Sequence, residues 1–102
     1  MYGTVARLRL KPGVEEQAIA LLHEYETLNI PGFLGEFLYR MDADSNEYYM
    51  AVLFASKDAY LANAQSPEQD VRYRQLAALL EREPEWHDGV VAYASSGRLA
   101  SA

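Results

Sequence analysis

Two strands and the turn between them decide the fold of this chain: FLGEFLYRM (33–41), DADSN (42–46) and EYYMAVLFA (47–55). The middle segment is rich in Asp, Ser and Asn, which favour turns, so the two flanking segments are predicted to form a hairpin. Both strands carry apolar residues on both side-chain parities, and a sheet with one solvated face would alternate apolar and polar residues instead. We therefore expect this hairpin to be covered on both faces.

The segments outside the hairpin predict the remaining elements. Apolar and β-branched residues alternate over 2–10, which predicts a strand, and apolar residues recur every three or four positions over 14–28, which predicts a helix. After the hairpin, 57–65 predicts a short helix, 67–83 a longer helix and 87–95 a final strand.

The sequence SPEQ (66–69) is the strongest local signal in the chain. Ser66 suits the N-cap, proline suits the first helical position, and Gln69 can bond back to the cap. The predicted order is β-α-β-β-α-β, an α+β class, and two helices on one face of an antiparallel sheet form the ferredoxin-like arrangement. The second face of the hairpin needs another cover, and the simplest is a second copy of the chain in a two-fold homodimer.

Composition limits the class of protein. The 102 residues predict one domain over 1–95 and a flexible tail over 96–102. The net charge of −6 argues against nucleic-acid binding, which needs a basic surface. The N-terminus lacks a signal-peptide pattern, and no apolar run reaches the ~20 residues that span a bilayer, so no membrane partner is expected. The absence of cysteine excludes thiol chemistry and is compatible with a cytoplasmic location.

Four segments carry a resemblance to a known family: VARLRLKPG (5–13), LFASKDAYLANAQSP (53–67), LAALL (76–80) and the final strand. In these patterns the chain resembles the antibiotic biosynthesis monooxygenase-like family of dimeric α+β barrels. The resemblance implies a homodimer with a pocket between the helices and the sheet. It also implies cofactor-free oxygenation of aromatic polyketide or quinol-type substrates, although the family includes haem-degrading enzymes and members of no assigned activity.

The chain departs from that family at informative positions. Many members carry a histidine where this chain has Asn63. Haem-degrading members carry an asparagine on the first strand and an axial histidine late in the second helix. Here the first strand offers Thr4 and Arg7, and 67–83 contains no histidine. The resemblance therefore disfavours haem degradation.

The helices supply three candidate site residues. Tyr60 and Asn63 lie three positions apart on one helix face, from which they could orient a phenol or a peroxy intermediate. The alternative is a core-edge tyrosine and a helix-end asparagine. Tyr73 shares an apolar stripe with Leu76 and Leu80, which indicates either core packing or a contact with substrate.

Two arginines flank Tyr73 in the sequence. We expect Arg72 and Arg74 to point to solvent or to pair with Asp70 and Glu81.

The cluster WHDG (86–89) is the most unusual local sequence. A histidine beside an acid can act as a general base, but neighbours on a strand point to opposite faces, so His87 and Asp88 cannot pair as a dyad. Trp86 is either a pocket wall or an anchor at the sheet end or dimer seam. Arg7 either faces the helices, where it would bind an anion or enolate, or forms an ion pair at the dimer seam.

These observations predict a cofactor-free monooxygenase acting on a small aromatic, enolisable molecule. Such a substrate can itself reduce oxygen once it is deprotonated, so the protein needs a pocket, a base and hydrogen-bond donors. The predicted catalytic residues are His87, Asn63 and Tyr73, with substrate contacts from Tyr60, Trp86 and Arg7. No metal is expected, because the two histidines lack metal-ligand spacing. The alternatives are a non-catalytic dimer that binds a small ligand and, third, a haem-binding protein.

Overall fold

Seven elements follow one another in the computed structural model, which describes residues 1–95. They are β1 (Tyr2–Arg9), α1 (Glu15–Glu26), β2 (Phe33–Arg40), β3 (Glu47–Phe54), α2 (Lys57–Ala64), α3 (Pro67–Ala77) and β4 (Glu85–Val90). The strands form one antiparallel sheet in the order β2-β3-β1-β4. This is the predicted ferredoxin-like α+β fold. The predicted tail over 96–102 lies outside the described residues.

The central pair of strands sorts side chains onto two faces of the sheet. Thr4 lies opposite Val52 and Leu8 opposite Tyr48, and these positions face the helices. Burial of one large aliphatic side chain contributes about 1.5–3 kcal/mol. The buried core combines this face with residues of α1, of α3 and of the segments after β1 and α3: Ala6, Leu8, Leu10, Ala18, Tyr48, Met50, Val52, Phe54, Leu76 and Leu80.

Both α2 and α3 begin at a serine cap, and the cap at Ser66 is the predicted one. The Ser56 hydroxyl accepts a hydrogen bond from the Ala59 amide at 3.1 Å, and Ser66 accepts one from the Gln69 amide at 3.1 Å. Pro67 occupies the first turn of α3, as predicted. The Gln69 side chain, however, accepts a hydrogen bond from Arg72 instead of bonding back to the cap. No helix among residues 1–95 has the length and apolar character needed to cross a membrane.

The predicted ends of α3 and β4 differ from the structure. The helix predicted to reach residue 83 ends at Ala77, because the chain then pairs with the end of β1: the Lys11 amide donates to the Leu79 carbonyl at 2.9 Å. The final strand, predicted over 87–95, is Glu85–Val90. Its register on β1 places Val90 opposite Tyr2, the first residue of β1, so the ladder ends there.

The face of the sheet away from the helices, which we call the open face, is partly exposed within one chain. It carries Val5, Phe37 and Tyr39, with exposed fractions of 49%, 39% and 56%. The hairpin was predicted to be covered on both faces, and the helices of this chain cover one of them.

A cluster of ion pairs organises one end of the open face. Glu47 is buried and accepts hydrogen bonds from Arg7 and from Arg9. Arg9 also bonds Asp44 at 2.7 Å and Glu81 at 2.9 Å. The hydrogen bond from Arg7, with its positive charge, lowers the pKa of Glu47. The cluster therefore joins β1 to β3 and to the segment after α3. Each charged group in the cluster has a partner of opposite charge.

Replacing the central carboxylate tests this cluster. We expect Glu47→Gln to lower the free energy of unfolding at pH 7 by roughly 1 kcal/mol, because two arginines lose a charged acceptor. Since the pKa of Glu47 is lowered in the folded state, its contribution is present above the ordinary value of 4.5 and is lost as the pH falls. Urea denaturation at several pH values should show the two proteins converging in acid. A constant difference between them would contradict the assignment.

Candidate functional site

A cavity of about 440 Å³ lies between the helix-facing side of the sheet and the three helices. Apolar side chains form much of its wall: Leu21, Leu22, Met50, Val52, Phe54, Leu61 and Leu76. Aromatic and polar groups complete it: Thr4, Tyr25, Glu36, Tyr60, Asn63, Arg72, Tyr73, Trp86 and Asp88, among others. An apolar cavity of this size with a few convergent polar groups is typical of a small-molecule site.

A chain of hydrogen bonds crosses one side of the cavity. Arg72 donates through Nε to the Gln69 side chain at 3.1 Å and through Nη2 to Asn63 Oδ1 at 3.4 Å. Asn63 Nδ2 then donates to the Tyr25 hydroxyl at 2.6 Å. Because a guanidinium can only donate, Arg72 fixes which end of the Asn63 amide faces Tyr25. The hydroxyl hydrogen of Tyr25 is thereby left for an acceptor in the cavity.

The charge of Arg72 also lies close to the ring of Tyr25, with the guanidinium carbon 5.2 Å from the ring centroid. Burial raises the pKa of the Tyr25 hydroxyl, so the group is protonated and able to donate at neutral pH. Arg72 was expected to point to solvent or to pair with an acid, and that prediction was wrong. Arg74 does pair with Asp70 at 3.0 Å, whereas Arg72 lies in the cavity wall because Gln69 and Asn63 supply its acceptors.

Glu36 adds a carboxyl group to the same wall. It lies on β2 opposite Val52, and its Oε1 atom is buried without a hydrogen-bond partner among residues 1–95. Burial raises the pKa of Glu36 to about 7, and the negative charge of Glu26 contributes to the shift. The carboxyl group is therefore close to half-protonated at neutral pH.

Tyr60 and Asp88 form a separate pair in the cavity wall. The Tyr60 hydroxyl donates to Asp88 Oδ1 at 2.9 Å, and its ring packs edge-on against Tyr2 and Phe54. Burial, together with Asp88, raises the pKa of Tyr60 to about 12. The proton of Tyr60 is thus directed to Asp88. Tyr60 and Asn63 share the cavity, as their spacing predicted, but each bonds a different partner.

Trp86 and Tyr73 form an aromatic wall where α3 approaches β4. Their ring centroids are 6.2 Å apart with a 53° tilt between the planes. Trp86 retains 44% exposure, while Tyr73 is half-buried. Of the two roles open to Trp86, the structure places it in the cavity wall. Both rings offer apolar faces to a flat ligand.

The structure places His87 and Arg7 outside the cavity. His87 lies opposite Val5 on the open face, whereas its neighbour Asp88 lies opposite Thr4 on the helix-facing side. The two residues point to opposite faces, as strand alternation requires. Arg7 pairs with Glu47 on the open face, which is the ion-pair alternative. Neither residue is among the groups that could touch a ligand in this cavity.

Three cavity residues were missed as candidates from the sequence. Tyr25 belongs to the apolar stripe of α1 and has the pattern of a core residue. Arg72 has the pattern of a surface residue on a charged helix. Glu36 lies in a strand whose register cannot be read from the sequence, because an irregularity between Phe33 and Gly35 shifts the pairing with β3. A polar residue within a predicted buried strand was the available signal for Glu36.

Comparison with known proteins assigns the chain to a family. The family model described as antibiotic biosynthesis monooxygenase matches residues 1–71. The chain belongs to this family. No curated protein sequence matches the chain.

Solved structures share the fold. SnoaB, a cofactor-independent oxygenase from Streptomyces nogalater, is similar with a TM-score of 0.75 at 20% identity, over 91% of this chain and 94% of that one. A conserved protein from Methanosarcina mazei Go1 gives a TM-score of 0.73 at 18% identity, over 86% of this chain and 89% of that one. A candidate antibiotic biosynthesis monooxygenase from Caulobacter crescentus CB15 gives 0.68 at 24% identity, over 88% and 90%. At these identities the likeness establishes the fold.

A double-mutant cycle on Asn63→Ala and Tyr25→Phe tests the hydrogen-bond chain. We expect a coupling of roughly 1 kcal/mol in the free energy of unfolding, because each substitution removes the same bond between partly buried groups. The matched cycle on Asn63→Ala and Tyr60→Phe should give less than about 0.5 kcal/mol, because Tyr60 bonds Asp88 instead. Equal couplings in the two cycles would contradict the arrangement described above.

Proposed function

We propose that this protein is a cofactor-independent monooxygenase whose substrate is a small, flat, enolisable aromatic molecule bound in the cavity. Membership of the antibiotic biosynthesis monooxygenase family supports the reaction class. The similarity to SnoaB, a cofactor-independent oxygenase, supports the absence of a cofactor. The apolar cavity, with the rings of Tyr73 and Trp86 in its wall, supports an aromatic substrate.

The single observation that carries the proposal is the hydrogen-bond chain from Arg72 through Asn63 to Tyr25. Once its proton is lost, the substrate becomes an enolate that can donate an electron to dioxygen. This transfer gives a neutral substrate radical and superoxide. Superoxide, and the peroxide anion formed when the two combine, carry negative charge on oxygen. A positioned hydroxyl donor backed by a cation stabilises such charge most strongly in a site that excludes water.

The atoms of the reaction balance without a cofactor. The enolate carbon forms a bond to dioxygen, and the outer oxygen of the peroxide takes a proton. The O–O bond and the C–H bond left on that carbon then break, so water leaves and a carbonyl remains on the substrate. In this scheme Tyr25 donates a hydrogen bond to the substrate or peroxide oxygen. Asn63 is a positioning residue that orients Tyr25, and Tyr73 and Trp86 contact the substrate rings. Tyr60 contributes its ring, since its proton is directed to Asp88.

Oxygen uptake with 1,4-dihydroxynaphthalene, a quinol, tests the proposal. We expect the wild-type protein to accelerate uptake above the uncatalysed rate without added metal or flavin. Tyr25→Phe should lower kcat roughly 100-fold, because it removes the donor aimed into the cavity. Arg72→Met should lower kcat by roughly tenfold, since its effect is transmitted through Asn63.

The matched control is Arg74→Met, on the same helix but with its side chain paired to Asp70 at the surface. This variant should retain the wild-type rate. Ligand binding without oxygen uptake would favour the alternative of a non-catalytic binding dimer. An equal loss in Arg72→Met and Arg74→Met would overturn the role given to the hydrogen-bond chain.

We further propose that the open face pairs with a second copy of the chain in a homodimer. The support is the row of exposed apolar side chains on β1 and β2, namely Val5, Phe37 and Tyr39, beside the ion-pair cluster. Because an isologous interface brings the same patch of both copies together, these residues would cover one another. Large apolar patches on soluble proteins mark interaction sites of this kind.

Light scattering after size-exclusion chromatography measures this association. We expect the wild-type protein at micromolar concentration to have twice the mass of one chain. Phe37→Glu should give the mass of one chain, because it places a carboxylate within the apolar patch. Val71→Glu, which changes an exposed apolar residue on α3 instead of the open face, should remain dimeric. A wild-type monomer would contradict the proposal.

A further inference from the structure

We propose that Glu36 is the general base that removes the proton from the substrate in the cavity. This inference rests on the function proposed above and assigns a step that the hydrogen-bond chain cannot perform. Arg72, Asn63 and Tyr25 are donors at neutral pH, and Tyr60 directs its proton to Asp88. An enolate forms only where a group with a free lone pair can accept the proton.

An irregularity in β2 brings Glu36 into the cavity. Phe33 lies opposite Phe54, and the next paired residue is Gly35, opposite Leu53, so Leu34 is an extra residue in the strand. Without this bulge, uninterrupted pairing would place Glu36 opposite Ala51, a position on the open face. With it, Glu36 lies opposite Val52 and faces the helices. Bulges are common beside active sites, where they redirect a side chain.

The surroundings of Glu36 leave its carboxyl group unneutralised. Its Oε1 atom is buried and has no hydrogen-bond partner within the described part of the chain. The titratable groups that interact with it are Glu26 and Tyr25, both on α1, and Tyr25 also interacts with Arg72 on α3. Arg72 is held by Gln69 and Asn63, and it forms no ion pair with Glu36 among residues 1–95.

A buried carboxyl group without a hydrogen-bond partner lowers the stability of the fold. A protein that retains such a group commonly uses it in catalysis or pairs it with a bound ligand. The half-protonated state described above is the condition under which a carboxylate accepts a proton at neutral pH and can also return it. The enzyme therefore carries, in one cavity, an acceptor for the substrate proton and a donor for the resulting oxyanion.

The proton transfer balances as a single exchange. A C–H or O–H bond of the substrate breaks, its electron pair stays on the substrate as the enolate, and an O–H bond forms on Glu36. Tyr25 stabilises the enolate oxygen by hydrogen bonding. After dioxygen has added, Glu36 returns its proton to the peroxide anion, so the carboxylate is ready for the next cycle.

Hydrogen–deuterium exchange isolates this step from oxygen chemistry. The probe is anthrone, incubated anaerobically in D₂O, with loss of its methylene signal followed by proton NMR. We expect the wild-type protein to accelerate exchange, with a rate that rises with pH around a midpoint of about 7. Glu36→Gln should lower the rate roughly 100-fold or more and remove the pH dependence. Glu36→Asp should restore part of the rate, and Glu16→Gln, at an exposed site on α1, should match the wild type.

A second variant distinguishes a base from a merely structural carboxyl group. Because Glu26 raises the pKa of Glu36, Glu26→Gln should move the midpoint of the rate to lower pH. The plateau rate should fall only slightly, since a weaker base accepts the proton more slowly. This test holds even if Glu36→Gln fails to fold. An unmoved midpoint, exchange at the wild-type rate in a folded Glu36→Gln, or no acceleration by the wild type would overturn the assignment.

The outcomes also separate this inference from the proposed oxygenase function. Exchange that depends on Glu36, without oxygen uptake from anthrone or the quinol, would support the base and overturn the oxygenase. Oxygen uptake that is unchanged in Glu36→Gln would support the oxygenase and overturn the base.

Discussion

The pairing of β1 with β3 is the constraint on which the rest of the molecule depends. These two strands form the centre of the sheet, and their register fixes which residues face the helices and which face away. On one side, Leu8 and Met50 build the core that holds the helices. On the other, Arg7 and Glu47 build the ion-pair cluster. Because side chains alternate along these two strands, each residue serves only one face, and the cavity and the open face have different side chains.

The two faces of the sheet give their buried carboxyl groups opposite surroundings. Glu47 on the open face has arginines around it, and the pKa of its carboxyl group is lowered. Glu36 in the cavity has an oxygen without a hydrogen-bond partner among residues 1–95, and its pKa is raised to about 7. The first arrangement is that of a structural carboxylate, stable and unreactive near neutral pH. The second is the less stable arrangement, and functional sites are where proteins commonly retain such groups.

Local sequence patterns predicted most of the fold. The predictions that were wrong concern elements whose ends depend on hydrogen bonds to residues distant in sequence. The strands, the hairpin and the cap at Ser66 follow from composition and short spacings, and the structure contains each of them. The ends of α3 and β4 depend on hydrogen bonds to β1, more than fifty residues away in sequence, which no local window contains. The candidate site divides in the same way. Tyr60, Asn63, Tyr73 and Trp86 lie in the cavity wall, whereas the inward direction of Glu36 depends on a bulge that periodicity alone cannot reveal.

The charges of the cavity also bear on which molecules can occupy it. Glu36 and Asp88 lie in the wall with Arg72, whose positive charge is already shared with Gln69 and Asn63. A ligand that enters as an anion would meet like charge on Asp88 and on the ionised form of Glu36 in an apolar space, which is unfavourable. A neutral ligand that becomes an anion only after giving its proton to Glu36 avoids this repulsion, because the negative charge moves from the protein to the ligand and its total is unchanged. Under the proposed function, the cavity would favour a substrate that is neutral when bound and anionic when it reacts. This property distinguishes enolisable aromatic molecules from aromatic acids.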